Sequence, residues 1–411
     1  MNVLFLHQNF PGQFVHIAQA LNNRPDTRVT AITDAANKRP DLLPTVRYRF
    51  DPRSAGKPHR LGASYNMRAA RGEAAARAML DLREQGFVPD LVIGHSGWGE
   101  TLFVRDVFPQ AKLIVYAEYF YSASGGDVGF DTEFGTPDAE QLWRVRSRNA
   151  ALLSAVLDAD FGVTPTRWQG TRFPAELQKK IAILHEGIDT DHARPDPGAC
   201  FMREDPPIRF TREDEVITFI NRNLEPYRGY HVFMRALPAI LRERPKAHVV
   251  IVGGDGVSYG AAPPAGGSWK QVFLAEVSGA LPLERVHFAG KIPHPDLINL
   301  LQISSAHVYL TYPFVLSWSM LEAMSAGAPV IASGTAPVQE VIEHGANGML
   351  VDFFDTKALS RAVIDVLANP ARYAAMCEAA RRTIVQSYDL RRICLAKWMS
   401  FIDTVAASKT A

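Results

Sequence analysis

Two arginines, Arg222 and Arg228, are the first residues in this sequence whose type and spacing suggest chemistry. Both lie in "NRNLEPYRGYHVF", where a buried-strand pattern ends and a helical pattern begins. Guanidinium groups offer forked donors to oxyanions, so two of them at one strand end could clamp a diphosphate. The alternative is a pair of solvated surface arginines. Gly229, directly after Arg228, allows close backbone approach and favours the clamp.

Glu322 is the second candidate, a lone carboxylate in the small and apolar helix pattern "SMLEAMSAGAP". Ser319 stands three residues earlier and completes a capping-box pattern, in which Glu322 would accept a backbone N–H. The carboxylate could equally accept both hydroxyls of a ribose, while backbone N–H groups of the preceding loop meet phosphate. The residues alone leave the cap and the ligand interpretations open.

Two glycine-containing loops follow strand patterns. In "HQNFPGQF" only Gly12 is present, whereas a dinucleotide fingerprint needs G-x-G-x-x-G, which argues against an NAD enzyme. An ordinary βα turn and a loop that approaches a ligand are equally compatible with this segment. The second loop, "IVGGDGVSYGAAPPAGG", has prolines where a phosphate-binding helix would begin, and it is expected to be a mobile loop.

Short β-branched runs alternate with helix-length amphipathic segments along the chain, and apolar runs of this kind belong in parallel sheets covered by helices. This pattern predicts an α/β protein with two facing Rossmann-like, doubly wound parallel-sheet domains and a C-terminal helix. The strand candidates of the first half are "NVLFLH", "RVTAIT", "TVRYRF", "DLVIGH", "KLIVYAEYF", "DFGVTPT" and "IAILHEG". Those of the second half are "EVITFINR", "HVVIVGG", "RVHFAG", "HVYLTY", "PVIAS" and "GMLVD".

The expected domain boundaries follow from composition. Residues 1–195 form an N-terminal Rossmann-like domain, and residues 215–388 form a C-terminal Rossmann-like domain. Between them, residues 196–214 are rich in proline and charge and are expected to be a linker. Residues 389–411 form one amphipathic helix that could pack back on the first domain. Ligands of such sheets bind at the carboxyl ends of the strands, so a cleft between the domains is the expected site.

Composition excludes several other classes. A formal net charge of +1 gives no general attraction to nucleic acid, and three scattered cysteines fit a reducing cytoplasm with neither metal spacing nor disulfides. The segment "MNVLFLHQNF" has no basic leader, and no run approaches the roughly 18 apolar residues of a spanning helix. The sequence therefore predicts a cytoplasmic protein without a cofactor.

One segment departs from this neutral balance. Residues 38–77 contain ten lysines and arginines against three acids, which leaves a charge of +7. A solvated loop and helix face would explain this charge. Peripheral contact with an anionic membrane at its inner face, or with a lipid-diphosphate acceptor, would explain it equally well.

The segment "SMLEAMSAGAPVIASGTAPVQEVIEHGANGMLVD" closely resembles the donor site of family-4 retaining glycosyltransferases, which have the GT-B fold. Arg222 and Arg228-Gly229 match that family's Arg and Lys-Gly, with Arg in place of Lys and one more residue between them. The family places one Glu before a second Glu in this segment. Here Phe314 replaces the first, and Glu322 is the second. The resemblance implies that Glu322 holds the nucleotide ribose. It implies a nucleotide-binding set that also contains Phe314, Val315, Leu316, Ser317, Trp318, Lys291 and Ile292.

The first half resembles a subgroup of these enzymes that is encoded with bacterial surface-polysaccharide genes. The resemblance places Gly12 beside the donor and makes His95, in "DLVIGHSGWG", a catalytic residue together with Arg222 and Arg228. It places Gln13, Glu118 and Tyr119 on the acceptor side. It also implies that residues 1–195 are the acceptor-side domain and residues 215–388 the nucleotide-binding domain.

The resemblance implies a retaining hexosyltransferase that needs no metal. Its donor would be a UDP, GDP or dTDP sugar, and its acceptor a saccharide or lipid-linked molecule of cell-surface polysaccharide or glycolipid synthesis. In the family the departing phosphate helps to deprotonate the acceptor, so no dedicated base is expected. Two alternatives are a nucleotide-sugar epimerase of the same fold and a non-catalytic subunit that binds sugar nucleotides. Donor turnover with and without an acceptor would separate the three.

Overall fold

The short β-branched runs named above form strands of two separate parallel sheets in the computed structural model, which describes residues 1–204 and 207–408. The chain divides into two compact units. Unit 1 is Met1–Gly187 with Arg391–Ala411, and unit 2 is Ile188–Leu390. The expected class of two Rossmann-like parallel-sheet domains is confirmed.

Unit 1 contains a seven-stranded sheet of order β3-β2-β1-β4-β5-β6-β7 in which every strand pair is parallel. Its strands are β1 (Asn2–Leu6), β2 (Arg28–Asp34), β3 (Thr45–Tyr48), β4 (Leu91–His95), β5 (Lys112–Tyr116), β6 (Phe161–Thr164) and β7 (Ile181–Ile183). Val3 lies opposite Val29 on one side and Leu91 on the other. The strand order reverses between β1 and β4, and ligands of open α/β sheets bind where such a reversal occurs.

Unit 2 contains a six-stranded parallel sheet of order β12-β11-β10-β13-β14-β15 and a separate hairpin of β8 and β9. These strands are β8 (Cys200–Arg203), β9 (Ile208–Thr211), β10 (Val216–Asn223), β11 (His248–Gly254), β12 (Val286–Gly290), β13 (Ala306–Tyr309), β14 (Val330–Ser333) and β15 (Met349–Val351). The order reverses between β10 and β13, so Arg222 and the segment after Tyr309 lie at the reversal.

Helices cover both sheets. The helices in the first segment of unit 1, Met1–Gly187, are α1 (Val15–Asn22), α2 (Ala63–Glu84), α3 (Val104–Val107), α4 (Ala139–Arg148), α5 (Ala150–Asp158), α6 (Arg167–Thr171) and α7 (Ala175–Gln178). Those of unit 2 are α8 (Tyr230–Glu243), α9 (Trp269–Val277), α10 (His294–Gln302), α11 (Trp318–Ala326), α12 (Ala336–Gln339), α13 (Thr356–Ala368) and α14 (Pro370–Ser387). Across the described residues, 1–204 and 207–408, no helix combines the length and the apolar character that crossing a membrane requires.

The expected linker, residues 196–214, contains regular structure in its described part. Strands β8 and β9 pair antiparallel, with Phe201 opposite Phe210, and both of these rings are buried in the unit 2 core. The alternating apolar positions of "CFMR" and "IRFT" carry this hairpin, but charged and proline residues around them obscure the pattern.

The last helix, α15 (Leu395–Ala407), belongs to unit 1. Trp398 is 1% exposed and lies in one core cluster with Val3, Phe5 and Phe14, on one face of β1. Its Nε1–H donates to the carbonyl of His185 at 3.2 Å. The opposite face of β1 packs with α2, as the period of two along a strand requires.

Candidate functional site

Arg228 is buried at the start of α8 and holds the segment that follows β13. Its side chain is placed by a 3₁₀ turn, Pro226–Arg228, and by Gly229, whose φ of 66° lets α8 begin directly after the turn. The Nη1 group donates to Thr311 Oγ1 at 2.7 Å and to the carbonyl of Val315 at 3.1 Å. Its guanidinium also lies 4.9 Å from the ring centroid of Tyr259. Arg228 therefore fixes the loop that leads to α11.

Tyr309 fixes the same loop from the end of β13. Its hydroxyl accepts from the backbone N–H of Ser317 at 2.9 Å, and Arg228 Nη1 lies 3.4 Å from it. The predicted nucleotide-binding residues Val315 and Ser317 are thus held next to Arg228 by two buried side chains. In "HVYLTY" Tyr309 fits the apolar pattern of a buried strand, so its role in holding the loop was not predicted from the sequence.

Arg222 has a different environment. It lies one residue before the end of β10, is exposed, and forms no ion pair within the described residues 1–204 and 207–408. An exposed cation at the strand-order reversal is available to a ligand, whereas Arg228 is committed to the loop. The two arginines are close in sequence but play separate local roles.

Glu322 does not cap α11. The helix begins at Trp318, and its N-cap is Ser317, whose side chain accepts from the N–H of Ser319. Glu322 is therefore the fifth residue of the helix, beyond the reach of the cap. The capping-box interpretation is wrong, because it placed the start of the helix two residues too late.

The carboxylate of Glu322 instead pairs with His294 at the start of α10. Glu322 Oε1 and His294 Nε2 are 2.7 Å apart, and the carboxylate is largely buried while the imidazole is more than half exposed. The hydrogen bond to Glu322 raises the pKa of His294 above its ordinary value. The sequence reasoning missed His294, although it stands only two residues after the predicted contact Ile292.

Phe314, at the position of the family's first acid, packs into an aromatic cluster. Its ring centroid lies 5.1 Å from that of Tyr259 and 5.6 Å from that of Tyr227, and the side chain is buried. An ionised carboxylate at this place would be costly to bury.

The other predicted nucleotide contacts lie around the same sheet edge. Lys291 and Ile292 follow β12, and the Lys291 side chain runs over Gly254 at the end of β11, with its Cε 2.8 Å from where a Cβ of Gly254 would be. Leu316 and Ile292 pack on the unit 2 core, while Trp318 is partly exposed at the first turn of α11.

Glu225 anchors the glycine-rich loop of unit 2. This carboxylate is fully buried and accepts from the backbone N–H groups of Ser258, Tyr259 and Gly260 at 3.0 to 3.2 Å. Residues 258–260 of this loop are therefore held by Glu225, and the mobility expected for the loop as a whole stays a prediction. A buried carboxylate needs such donors, but nothing in the sequence pattern connects Glu225 with residues more than thirty positions later.

In unit 1, four polar side chains form a connected group at the reversal between β1 and β4. His7 Nε2 lies 3.1 Å from Gln13 Oε1, Gln13 Nε2 donates to Glu118 Oε1 at 3.2 Å, and His95 Nε2 lies 3.7 Å from Glu118 Oε2. Burial, reinforced by His95, holds the pKa of His7 well below its ordinary value, so His7 is neutral at pH 7. The structure brings together the predicted residues His95, Gln13 and Glu118, and it adds His7.

Gly12 and Tyr119 flank this group. A Cβ at Gly12 would lie 2.9 Å from the His7 ring, and the φ of Gly12 is 51°, so glycine is required where the turn passes the imidazole. The buried Tyr119 directs its hydroxyl to Asp127 Oδ1 at 2.9 Å, and its ring stacks on Trp168 at 5.8 Å.

Two protein-family models match the chain. The glycosyl transferase family 4 group model matches residues 25–193, and the glycosyl transferases group 1 model matches residues 202–383. Together they span most of both units.

Curated relatives match in part. A GDP-mannose-dependent α-(1-6)-phosphatidylinositol monomannoside mannosyltransferase of Mycolicibacterium smegmatis is 29% identical over 57% of this chain and 60% of its own length. A D-inositol 3-phosphate glycosyltransferase of Streptomyces avermitilis is 28% identical over 49% of this chain and 42% of its own length. The chain thus spans less than two thirds of these relatives.

Solved structures of the same fold cover nearly the whole chain. The sucrose-phosphate synthase of Thermosynechococcus elongatus has a TM-score of 0.72 at 17% identity and covers 99% of this chain and 100% of its own. Anabaena HepE in complex with UDP-glucose has a TM-score of 0.65 at 17% identity, with 98% and 100% covered. With both family models and the fold in agreement, the chain belongs to the family-4 glycosyltransferases of GT-B fold.

Proposed function

We propose that the protein transfers a hexose from a nucleoside diphosphate sugar to a saccharide or lipid-linked acceptor, with retention of the anomeric configuration and without a metal ion. One observation carries the proposal most directly. At the strand-order reversal of unit 2, a mostly buried carboxylate, Glu322, follows a loop that Arg228 and Tyr309 hold in place. In this proposal Glu322 accepts from the ribose hydroxyls, and the backbone of the loop before it meets the phosphates.

Each site residue has a role in this proposal. Glu322 holds the ribose, the Phe314–Trp318 loop meets the phosphates, Lys291 and Ile292 lie beside the base, and Arg222 compensates charge on the leaving diphosphate. Such charge stabilisation is the main requirement when a phosphate departs. In unit 1, Gly12 approaches the donor, His95 takes part in catalysis, and Gln13, Glu118 and Tyr119 serve the acceptor.

The departing diphosphate provides the base in this mechanism. The bond between the anomeric carbon and the diphosphate oxygen breaks, and the acceptor hydroxyl forms the new bond on the same face. Its proton passes to the departing phosphate oxygen. The protein must then hold donor and acceptor in contact and stabilise negative charge, which fixed guanidinium and N–H donors do well.

The comparisons suggest which donors to test first. One relative is named for GDP-mannose, and a structure of the same fold holds UDP-glucose, so UDP and GDP sugars come before dTDP sugars. Bacterial cell-surface polysaccharide or glycolipid synthesis is the proposed setting.

The test is nucleotide release from UDP and GDP sugars, with and without acceptor mixtures, by the wild type and by Arg222→Ala. Losing a charge-assisted contact to the diphosphate should cost roughly 2–4 kcal/mol in the transition state. Arg209→Ala, an exposed arginine on β9, is the matched control. Arg222 is a cleaner probe than Arg228, because removing Arg228 also releases the loop.

Nuclear magnetic resonance of the fresh product should show the donor's anomeric configuration, and EDTA should leave the rate unchanged. Release that requires no acceptor, with a changed sugar, would instead identify an epimerase. Nucleotide binding without any turnover would identify a non-catalytic subunit.

Peripheral membrane contact is a finer part of the proposal, with the cytoplasm as the location. Many of the basic residues of 38–77 are already engaged, since Arg47, Arg53, Arg60 and Arg77 form ion pairs. Exposed cations without an ion pair among the described residues remain at Lys38, Arg39, Arg49 and Lys57. These four support contact with an anionic surface.

A further inference from the structure

We propose that a pocket inside unit 1 binds the phosphate group of the acceptor, which makes the acceptor a phosphorylated sugar or polyol. The inference rests on the proposed transferase function, because it assigns the substrate that receives the sugar. The pocket has a volume of about 50 Å³, which suits one small polyatomic group rather than a whole sugar ring. Its walls include Arg68, His95, Trp98, Glu118, Tyr121 and Arg148.

Arg68, on α2, brings a half-buried positive charge to this pocket and forms no ion pair in the described part of the chain. Its Nε donates to the carbonyl of Gly97 at 2.8 Å, and its Nη1 donates to Ser64 Oγ at 2.5 Å and to the carbonyl of Arg148 at 3.1 Å. All three acceptors are neutral. Removing a charge from water without an opposite charge is costly, so an anion entering here would be stabilised.

Arg148, the last residue of α4, adds a second cation. Its guanidinium lies 3.8 Å from the ring centroid of Tyr121, and the side chain is exposed at the pocket. Within residues 1–204 and 207–408, neither Arg68 nor Arg148 forms an ion pair with a carboxylate. Burial and the nearby Arg148 both lower the pKa of Arg68, which is the effect expected of adjacent like charges.

The opposite wall has the groups that would recognise a hydroxyl. His95 is buried, its Nδ1 accepts from the N–H of Gly97 at 2.9 Å, and its Nε2 therefore carries the proton. Among the residues that the structure describes, this Nε2 has no hydrogen-bond partner, and it lies 3.7 Å from Glu118 Oε2, too far for a good direct hydrogen bond. A hydroxyl between them would accept from His95 and donate to Glu118.

The pocket is thus positive at one wall and negative at the other. An acceptor with a phosphate at Arg68 and Arg148 would turn a hydroxyl toward Glu118, whereas a neutral sugar would leave both arginines uncompensated. The two ends together select a ligand that carries both groups.

The probe for this proposal is glycerol 3-phosphate, with glycerol as the uncharged comparison, titrated into the full chain by calorimetry. Glycerol 3-phosphate should bind and glycerol should not. Arg148→Gln should weaken the binding about tenfold, as the loss of one charge-assisted hydrogen bond requires. Arg146→Gln removes the same charge from an exposed position of α4 and should leave the affinity within about twofold.

Two further variants keep the result decisive. Arg68→Lys retains the charge but loses the forked donors, and it should also weaken binding, while Arg222→Ala, in the diphosphate site, should not. Equal losses in Arg146→Gln and Arg148→Gln, or no binding to the wild type, would overturn the proposal. UDP or GDP affinity is measured in the same samples. If neither nucleotide binds, the donor function fails instead.

A second arm of the experiment uses vesicles to distinguish a soluble phosphate ester from a phosphate carried by a lipid. Phosphatidylcholine vesicles containing phosphatidylglycerol are compared with pure phosphatidylcholine vesicles, using the same variants. An effect of Arg148→Gln on glycerol 3-phosphate supports a soluble phosphate ester. An effect seen only with the anionic vesicles overturns the soluble acceptor in favour of a lipid-borne one.

Discussion

Glu322 and His294 show how a single hydrogen bond can prepare a carboxylate for a ligand. The 2.7 Å contact uses Oε1 of Glu322, and Oε2 has no hydrogen bond among the described residues. His294 is the exposed partner, so it can shift without disturbing the core. A ribose could therefore bind at Oε2 directly and compete for Oε1.

The substitution Glu322→Gln should weaken nucleoside diphosphate binding by about 1–3 kcal/mol. The reason is that an amide accepts with only one of its two ends, whereas a carboxylate accepts from two hydroxyls. A 2′-deoxy nucleotide should lose much less, since it has already lost one hydroxyl. Calorimetry of ribo and deoxy forms measures both losses, with the exposed Glu284→Gln as control. Parallel losses in the two forms would exclude the ribose role.

The stability of unit 2 should depend on pH through His294. Because Glu322 raises the pKa of His294 in the folded state, the bond's contribution is present below the unfolded value and is lost as pH rises through the folded value. The melting temperature of wild type minus that of His294→Gln should therefore be largest near about pH 6 and shrink toward about pH 8. His59→Gln, an exposed histidine, should show no such trend. A constant difference across this range would contradict the assignment.

For single residues, the sequence predicts which side chains carry chemistry better than it predicts which residues those side chains contact. Arg228 and Glu322 were identified by their types and by their places near strand ends. Their partners Tyr309 and His294 were not, because these contacts join residues that are 81 and 28 positions apart. Hydrogen bonds between residues so far apart produce no periodic pattern in the sequence.

Among the elements, the turn between β10 and α8 depends most on a single residue. Gly229 adopts φ 66°, and a Cβ there would lie 2.3 Å from Leu310 Cβ, which is buried beside the Arg228-held loop. Backbone conformation and packing therefore both require glycine. This requirement explains why the Arg-Gly pair stands at the start of a helix.

The substitution Gly229→Ala should destabilise the protein by about 1–2 kcal/mol from the left-handed conformation. Overpacking against Leu310 should add about 1–3 kcal/mol. Gly279→Ala is a matched control, because a Cβ at that position meets nothing within 4 Å and no positive φ is involved. Chemical denaturation measures both variants. Equal stability of the two would show that the turn relaxes without cost.

The elements themselves were largely predictable. Each β-branched run became a strand, and the amphipathic segments between the runs became helices such as α8 and α13, because the period and length of the apolar pattern identify both kinds of element. The β8–β9 hairpin was missed, since its strands have four residues each and prolines adjoin them. The predicted start of α11 was two residues too late, which is why Glu322 was considered as a capping residue.

For the molecule as a whole, the uneven distribution of charge has a measurable consequence. A chain of net charge +1 exposes Lys38, Arg39, Arg49 and Lys57 within one segment of unit 1. Attraction of such a cluster to anionic lipid is worth about 1 kcal/mol per cation and is screened by salt.

In liposome sedimentation, the wild type should bind anionic vesicles more than neutral ones, and salt should reduce the difference. Replacing Lys38, Arg49 and Lys57 by glutamine should remove most of this binding. The control replaces Lys246, Lys357 and Arg361, three exposed cations of unit 2, and loses the same charge. Equal binding to both kinds of vesicle would rule out the membrane contact.

The discontinuity of unit 1 has a consequence for how the protein is made. Its core cluster contains Trp398, Ile402 and Val405, which the ribosome adds only after all of Ile188–Leu390. Unit 2 is continuous in sequence and can close its core while it is being synthesised. We therefore expect unit 1 to keep the apolar surface beneath Trp398 uncovered until synthesis reaches α15, so that the half of the protein translated first completes its core last.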